Sequence, residues 1–185
     1  MKSTKLLNAD HEVIAQGLNV LDEINMALAK GKDVPFDDIR SLLTFLREFA
    51  DGCHHVKEEA IFFPALMVDG MAFDEASLRV MSYEHERGRA LLSAMEDALG
   101  RNHKAEFLMY SKRYKELLSE HLEKETWVLF EKADAILSDE DDENIAARLE
   151  EYDTITVGAV NHERWRRILE TLVAKYLTAT VAVHS

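Results

Sequence analysis

The sequence predicts an all-α protein: an up-down-up-down four-helix bundle with an additional C-terminal helix. Only 2 prolines and 7 glycines interrupt the 185 residues, and residues that favour helices, such as Leu, Ala, Glu, Lys and Arg, dominate the composition. Apolar residues recur at helical spacing in one segment after another, as they do on helices with one buried face. Four long segments of this kind, joined by short loops, favour an antiparallel bundle.

The first two helices have recognisable ends. The first is expected to end in the loop 30–33, which contains a glycine. The second is expected to begin after Pro35, where acidic residues follow, because proline and acidic side chains suit the first turn of a helix. We expect it to end at 69–70, an Asp-Gly pair, with a bend or break at Pro64.

The third helix is expected to end at 100–102, and the fourth is expected over about 103–137. The acidic run at 139–143 is interpreted as a solvated connector and the start of a helix. A shorter helical stretch to about Thr154 and a last helix over 161–178 complete the chain.

Length and composition limit the classes of protein that remain. The length suits a single domain over 1–185, with the bundle in 1–137 and a helical extension in 138–185. The formal net charge of −13 repels phosphate backbones, so nucleic acid is not an expected partner. No apolar run is long enough to cross a membrane. The single Cys53 and the lack of a secretory signal at the N-terminus predict a cytoplasmic protein.

The strongest internal signal is a repeat that contains histidine and glutamate. His54 and Glu58 in the first copy correspond to His121 and Glu125 in the second, and Lys and Phe residues recur at the same offsets in both copies. Four residues apart on a helix, the imidazole and the carboxylate stack on one face, one turn apart. The two side chains can therefore converge on one ion or bridge neighbouring ions.

Three further histidines share a second pattern. A His-Glu pair occurs at His11, His85 and His162, and each histidine lies on the same helical face as the apolar residues that follow it. A neutral imidazole in an apolar interior needs partners for its ring nitrogens. A metal ion and an outer hydrogen-bond acceptor satisfy both nitrogens.

The predicted topology allows these side chains to meet. In an up-down-up-down bundle the first and third helices begin at the end where the second and fourth finish. His11 and His85 are then level with the two His/Glu pairs. Four imidazoles and two carboxylates are too many ligands for one tetrahedral zinc ion, but they suit two transition-metal ions bridged by carboxylates.

The chain resembles the hemerythrin-like proteins, also called HHE cation-binding domains. The resemblance rests on four motifs in order, DHEVI at 10–14, CHHVKEEAIFFPAL at 53–66, YEHERGRALL at 83–92 and HLEKETWVLF at 121–130, and it covers about residues 5 to 137. It implies two non-haem irons bridged by Glu58 and Glu125. The implied ligands are His11, His54, Glu58, His85, His121 and Glu125. Glu131 departs from the pattern of a bacterial subgroup of these proteins that the chain also resembles, since that subgroup usually has proline at this position.

Two other histidines and the cysteine are left open. His55 is expected to lie behind the ligands or at the surface. His162, at the start of the last helix, is a candidate fifth imidazole or a residue that caps the site by hydrogen bonding. His103 and His184 are expected at the surface. Cys53 is expected to be a small buried apolar residue, with redox chemistry next to the site as the alternative.

Three functions remain for such a chain. The resemblance implies that a di-iron centre binds O2, NO or peroxide for sensing, storage or detoxification, although other transition metals remain open. The alternative is an enzyme that decomposes peroxide or reduces NO with the same ligands. The third is a structural metal-binding or interaction module. No protein partner is indicated by the sequence.

Overall fold

The computed structural model describes residues 1–67 and 74–178, which form six helices and no strand. The prediction of an all-α bundle is therefore confirmed. Four of the helices are regular for all or most of their length: α1 (Lys2–Ala29), α3 (Glu75–Gly100), α5 (Asp139–Glu151, extended by Tyr152–Val157) and α6 (Ala159–Tyr176). Helix α2 consists of Phe36–Phe45, Leu46–His55, Glu58–Phe62 and Phe63–Leu66, and α4 of Lys104–Lys124, Glu125–Leu129 and Phe130–Ile136.

The helix ends follow the local chemistry of the sequence. Gly31 and Asn102 have positive φ values of 74° and 56° in the loops after α1 and α3, a conformation that glycine and asparagine tolerate best. Asp74 and Ser138 accept hydrogen bonds from backbone N–H groups in the first turns of α3 and α5. The end of α2 predicted at 69–70 lies outside the described residues, as does His184.

The π-helical segments were not anticipated. Leu46–His55, Glu58–Phe62 and Glu125–Leu129 form hydrogen bonds with the wider π spacing. These three segments contain or directly adjoin the His/Glu pairs, whereas a fourth π-helical segment, Tyr152–Val157 at the end of α5, contains no residue of either pair. Short π segments inside α-helices occur often at functional sites, but hydrophobic periodicity does not distinguish them from ordinary helix.

The interior consists of two apolar clusters with a polar layer between them. Along α1 the chain passes from Leu7, in the smaller cluster, past His11 to Ile14, in the larger one. Helix α3 runs in the same sense from Met81 to Leu92, whereas α2 and α4 run from the larger cluster to the smaller. All four helices therefore carry their buried histidines at the level where the two clusters meet.

The last two helices complete both clusters. Helix α5 packs on α1 and on the end of α2, and α6 packs on α1 and the start of α2. Trp165 of α6 belongs to the larger cluster, and Leu149 of α5 belongs to the smaller. Within the described ranges, no helix is both long enough and apolar enough to cross a membrane.

The acidic run at 139–143 does begin a helix, but one of its members is not solvated. The side chain of Asp142 is buried, and its carboxylate accepts hydrogen bonds from Lys2 N at 2.6 Å and Ser3 N at 2.9 Å. These N–H groups belong to the first turn of α1, where no side chain of its own caps the helix. Asp142 therefore caps α1 from a distant part of the chain.

Candidate metal centre

The polar layer contains the six residues that the sequence singled out. His11 comes from α1, His54 and Glu58 from α2, His85 from α3, and His121 and Glu125 from α4. All six are at most 6% exposed, and both glutamates are fully buried. Three of them, Glu58, His54 and Glu125, lie in the π-helical segments of α2 and α4.

The four imidazoles form two pairs. His11 Nε2 lies 3.1 Å from His54 Nε2, and His85 Nε2 lies 2.9 Å from His121 Nε2. In both pairs the Nε2 atoms face each other in the interior. This arrangement presents two sets of nitrogen lone pairs to the space between the four helices.

The two carboxylates span the imidazole pairs. Glu58 places Oε1 3.5 Å from His54 Nε2 and Oε2 3.4 Å from His85 Nε2. Glu125 places Oε2 3.3 Å from His11 Nε2 and 3.2 Å from His121 Nε2. Each glutamate therefore contacts at least one imidazole of each pair, as a carboxylate that bridges two cations would.

The outer ring nitrogens are held by neighbouring polar groups. His54 Nδ1 lies 3.2 Å from Asp10 Oδ2, and His85 Nδ1 lies 2.7 Å from Glu59 Oε1. His121 Nδ1 lies 3.0 Å from Glu84 Oε2. Such partners fix the orientation of a ligating imidazole and increase its basicity.

His11 has a neutral outer partner. Its Nδ1 lies 3.0 Å from Thr126 Oγ1, and that hydroxyl donates to Asn8 Oδ1. Because a hydroxyl that donates elsewhere can accept from the ring, the outer nitrogen of His11 can carry the proton and leave Nε2 as a donor to a metal.

The carboxylates provide the test of whether a cation fits. All four oxygens of Glu58 and Glu125 are buried, and none has a hydrogen-bond donor among the described residues. Two buried carboxylates without donors are costly unless positive charge compensates them. Two candidate ligand groups include both glutamates, and within each group the ligand atoms lie within 4.8 Å of one another: His11, His54, Glu58 and Glu125, and Glu58, His85, His121 and Glu125. The donor set therefore fits two cations that share both carboxylates.

The match to a family model agrees with this geometry. The model of the Hemerythrin HHE cation binding domain matches residues 2–133. The chain belongs to this family. The comparisons with curated proteins and with solved structures gave no match. As a hemerythrin-family domain, the chain is a helical cation-binding protein with histidine and glutamate side chains grouped in its interior.

Electrostatics in this hemerythrin-family site favour positive charge. Burial alone would lower the pKa of His121, but the negative charge of Glu125 and the hydrogen bond with Glu84 raise it to about 10. Burial would likewise lower the pKa of His54, yet Glu58 and Asp10 raise it. When no metal ion is bound, the carboxylates therefore favour protonated imidazoles, and these supply the positive charge in the site.

Aromatic rings close the site on the side of the smaller cluster. Phe130 stacks on His11 with ring centroids 5.2 Å apart, and Phe63 stacks on His85 at 5.9 Å. Phe62 contacts Phe130 edge to face and is fully buried. These rings limit the access of water to the polar layer.

The structure does not bring His162 to the other six residues. Its Nε2 lies 3.7 Å from Asp153 Oδ1, and its side chain is 37% exposed. Asp153 in turn accepts from Lys57 Nζ at 3.0 Å, and Lys57 contacts Asp10 at 2.6 Å. Asp153, Lys57 and Asp10 therefore separate His162 from His54, because the turn before α6 lies on the outer side of these ion pairs.

Sequence reasoning missed the buried lysine. Lys57 is 1% exposed, and its ammonium lies between the carboxylates of Asp10 and Asp153. Burial lowers its pKa, but the two carboxylates and the neighbouring Cys53 raise it to about 12. The recurrence of Lys57 in the repeat was the available signal, although its counterpart Lys124 is 42% exposed.

Cys53 lies in the larger apolar cluster, as expected of a small buried residue. Burial raises the pKa of its thiol to about 12, so the thiolate form that reacts is scarce at neutral pH. His103 is exposed and lies near Glu106 in the loop after α3. His55, by contrast, is 2% exposed, so of its two expected positions, behind the ligands or at the surface, the surface position is excluded.

Proposed function

We propose that this hemerythrin-family protein holds two iron ions and binds O2 or a related small ligand, NO or peroxide, for sensing, storage or detoxification. The observation that carries the proposal is the pair of buried carboxylates, each lying between two imidazoles, whose oxygens have no hydrogen-bond donor in the described part of the chain. Imidazole and carboxylate together suit iron and other first-row transition metals.

The contacts between these side chains support an assignment of residues to the two cations. His11 and His54 would hold one cation, His85 and His121 the other, and Glu58 and Glu125 would bridge both. Ferrous iron held by these residues would supply electrons to dioxygen or NO. The described donors number two imidazoles for each cation and two shared carboxylates, which leaves coordination positions for a small ligand.

The surroundings of the site favour reversible binding over consumption of the ligand. The phenyl rings of Phe62, Phe63 and Phe130 line one side and exclude water. A dry wall without proton donors limits the delivery of protons to a reduced ligand, and the environment of a metal site controls such reactions. Binding for sensing, storage or detoxification is therefore proposed ahead of an enzymatic role.

The test is an absorption spectrum of the protein loaded with ferrous iron under anaerobic conditions. We expect about two irons per chain, a new absorption band on exposure to air, and return of the starting spectrum under vacuum. Steady loss of added peroxide or NO over many turnovers would instead support the enzyme. One zinc and no iron per chain would contradict both and favour a structural module.

Substitution of the bridging carboxylates tests their assignment. Glu58→Ala and Glu125→Ala should each lower the iron content by at least one ion per chain, because each glutamate is assigned to both cations. The matched control is Glu86→Ala, an exposed glutamate next to His85, which should keep the full iron content. Unchanged iron in both bridging variants would refute the bridging role.

A further inference from the structure

His55 is a buried imidazole that neither the repeat nor the paired-cation arrangement uses. It directly follows His54 in α2, and its side chain is 3% exposed. Neither ring nitrogen has a hydrogen-bond partner within 1–67 and 74–178. Buried polar groups are nearly always paired, so two unpaired nitrogens on one ring indicate that something else satisfies them.

The ring lies beside the imidazole pair of α3 and α4. It stacks on His85 with centroids 3.9 Å apart and an interplanar angle of 13°, and its centroid is 5.7 Å from that of His121. A ring nitrogen of His55 and one from each of these two histidines all lie within 4.8 Å of one another. Three imidazoles can therefore reach the same cation.

The outer side of His55 repeats the pattern of the other histidines. Its Nδ1 lies 3.5 Å from Asp51 Oδ1, which is long for a hydrogen bond. Arg89 Nε donates to the same Asp51 oxygen at 2.6 Å, and Arg89 Nη2 donates to Glu59 Oε1 at 2.8 Å. Glu59 is the outer partner of His85. One guanidinium therefore holds the carboxylates that lie behind both stacked rings.

We propose that His55 is a fifth imidazole ligand, directed to the cation that His85 and His121 hold. The two cation positions are then unequal, with three imidazoles at one and only His11 and His54 at the other. The inference rests on the proposed pair of cations. It also assigns Asp51 and Arg89 to the positioning of His55.

The experiment uses Co²⁺, whose absorption reports the ligands around it, added stepwise to the metal-free protein without air. For the unmodified chain we expect two ions, bound in two resolved steps of different affinity. His55→Phe keeps a planar ring that can stack on His85 but removes both nitrogens. It should lower the affinity of the tighter binding step by at least ~10-fold. Loss of a hydrogen-bond partner behind a ligand already lowers metal affinity by that factor, so loss of a ligand should cost at least as much.

Controls separate ligand loss from misfolding. His103→Phe removes an exposed imidazole far along the chain from the site and should leave both binding steps unchanged. The helical circular dichroism of metal-free His55→Phe should match that of the unmodified chain. If it does not, His55→Gln, which keeps a polar side chain of similar length, provides the same comparison, and it should also weaken the tighter step.

Each outcome has one meaning. A weakened step in a folded His55 variant, with a changed cobalt spectrum, supports the proposal. Unchanged affinity and spectrum in that variant overturn it, whatever the number of ions. Binding of a single ion by the unmodified chain would overturn the paired-cation proposal, while the effect of His55→Phe on that ion would still decide the role of His55.

Discussion

At the scale of single residues, the candidate metal centre depends on side chains that lie outside the ligand set. Asp10, Glu59 and Glu84 each contact the outer nitrogen of one histidine. Burial would raise the pKa of Glu59, but hydrogen bonds from His85 and Arg89 lower it. Glu59 is therefore charged at neutral pH and orients His85 as an anion.

Glu59→Gln tests this orienting role. The variant should bind the same number of cations, but the affinity of one of them should fall by ~10–100-fold, the usual cost of losing an outer partner. Titration of the metal-free protein with Co²⁺ measures both quantities. Glu86→Gln, next to the same histidine but exposed, is the control. Equal affinities in the two variants would show that Glu59 does not position His85.

At the scale of elements, the position of α1 is fixed by contacts with other helices. Its residue Gly17 faces α2 so closely that an added Cβ would lie 2.7 Å from Phe45 Cε1. Its first turn is capped by Asp142 of α5 rather than by a residue of its own. The alignment of His11 therefore depends on contacts with both α2 and α5.

Asp142→Ala should destabilise the protein by about 1–2 kcal/mol, the cost of a lost helix cap. For a chain of this size the melting temperature should fall by roughly 2–8 °C, measured by circular dichroism on metal-free protein. Glu143→Ala, exposed in the same helix, should change the melting temperature little.

The effect of Asp142 should depend on pH in a defined direction. Burial would raise its pKa, but hydrogen bonds from Ser3 and Lys2 lower it. Because the pKa of Asp142 is lower in the folded state than in the unfolded state, its carboxylate stabilises the folded protein. This stabilisation is complete at pH values above the ordinary aspartate pKa of about 3.9. The difference in stability between the unmodified protein and Asp142→Ala should therefore shrink as the pH falls below that pKa. A difference that grows in acid would contradict the capping role.

At the scale of the whole molecule, metal binding and folding are linked. The site takes ligands from four helices, so a chain that is unfolded cannot present them together. Free Co²⁺ at a hundredfold excess over its dissociation constant should stabilise the protein by about 2.7 kcal/mol per site. A double variant, Glu58→Ala with Glu125→Ala, should show a much smaller rise in melting temperature.

Protons should oppose this stabilisation. The pKa of His121 is raised to about 10, and those of His54 and His85 are also raised, because the carboxylates attract protons to these rings. A metal ion needs neutral imidazole, so its binding at neutral pH should release protons and weaken as the pH falls. Calorimetry in two buffers of different ionisation enthalpy measures the protons released. No release at pH 7 would contradict this linkage.

The sequence by itself determined the helical class, several of the helix ends and the six side chains that the structure brings together. Helical periodicity and the spacing of four residues between His and Glu are local properties, so the amino-acid sequence alone shows them. The burial of His55, the separation of His162 and the charge partners of Lys57 were decided by the tertiary structure. They depend on which helices meet and on π-helical turns in α2 and α4. Residues from distant parts of the chain determine the packing of the helices and the π-helical turns, and the local sequence pattern carries no information about either.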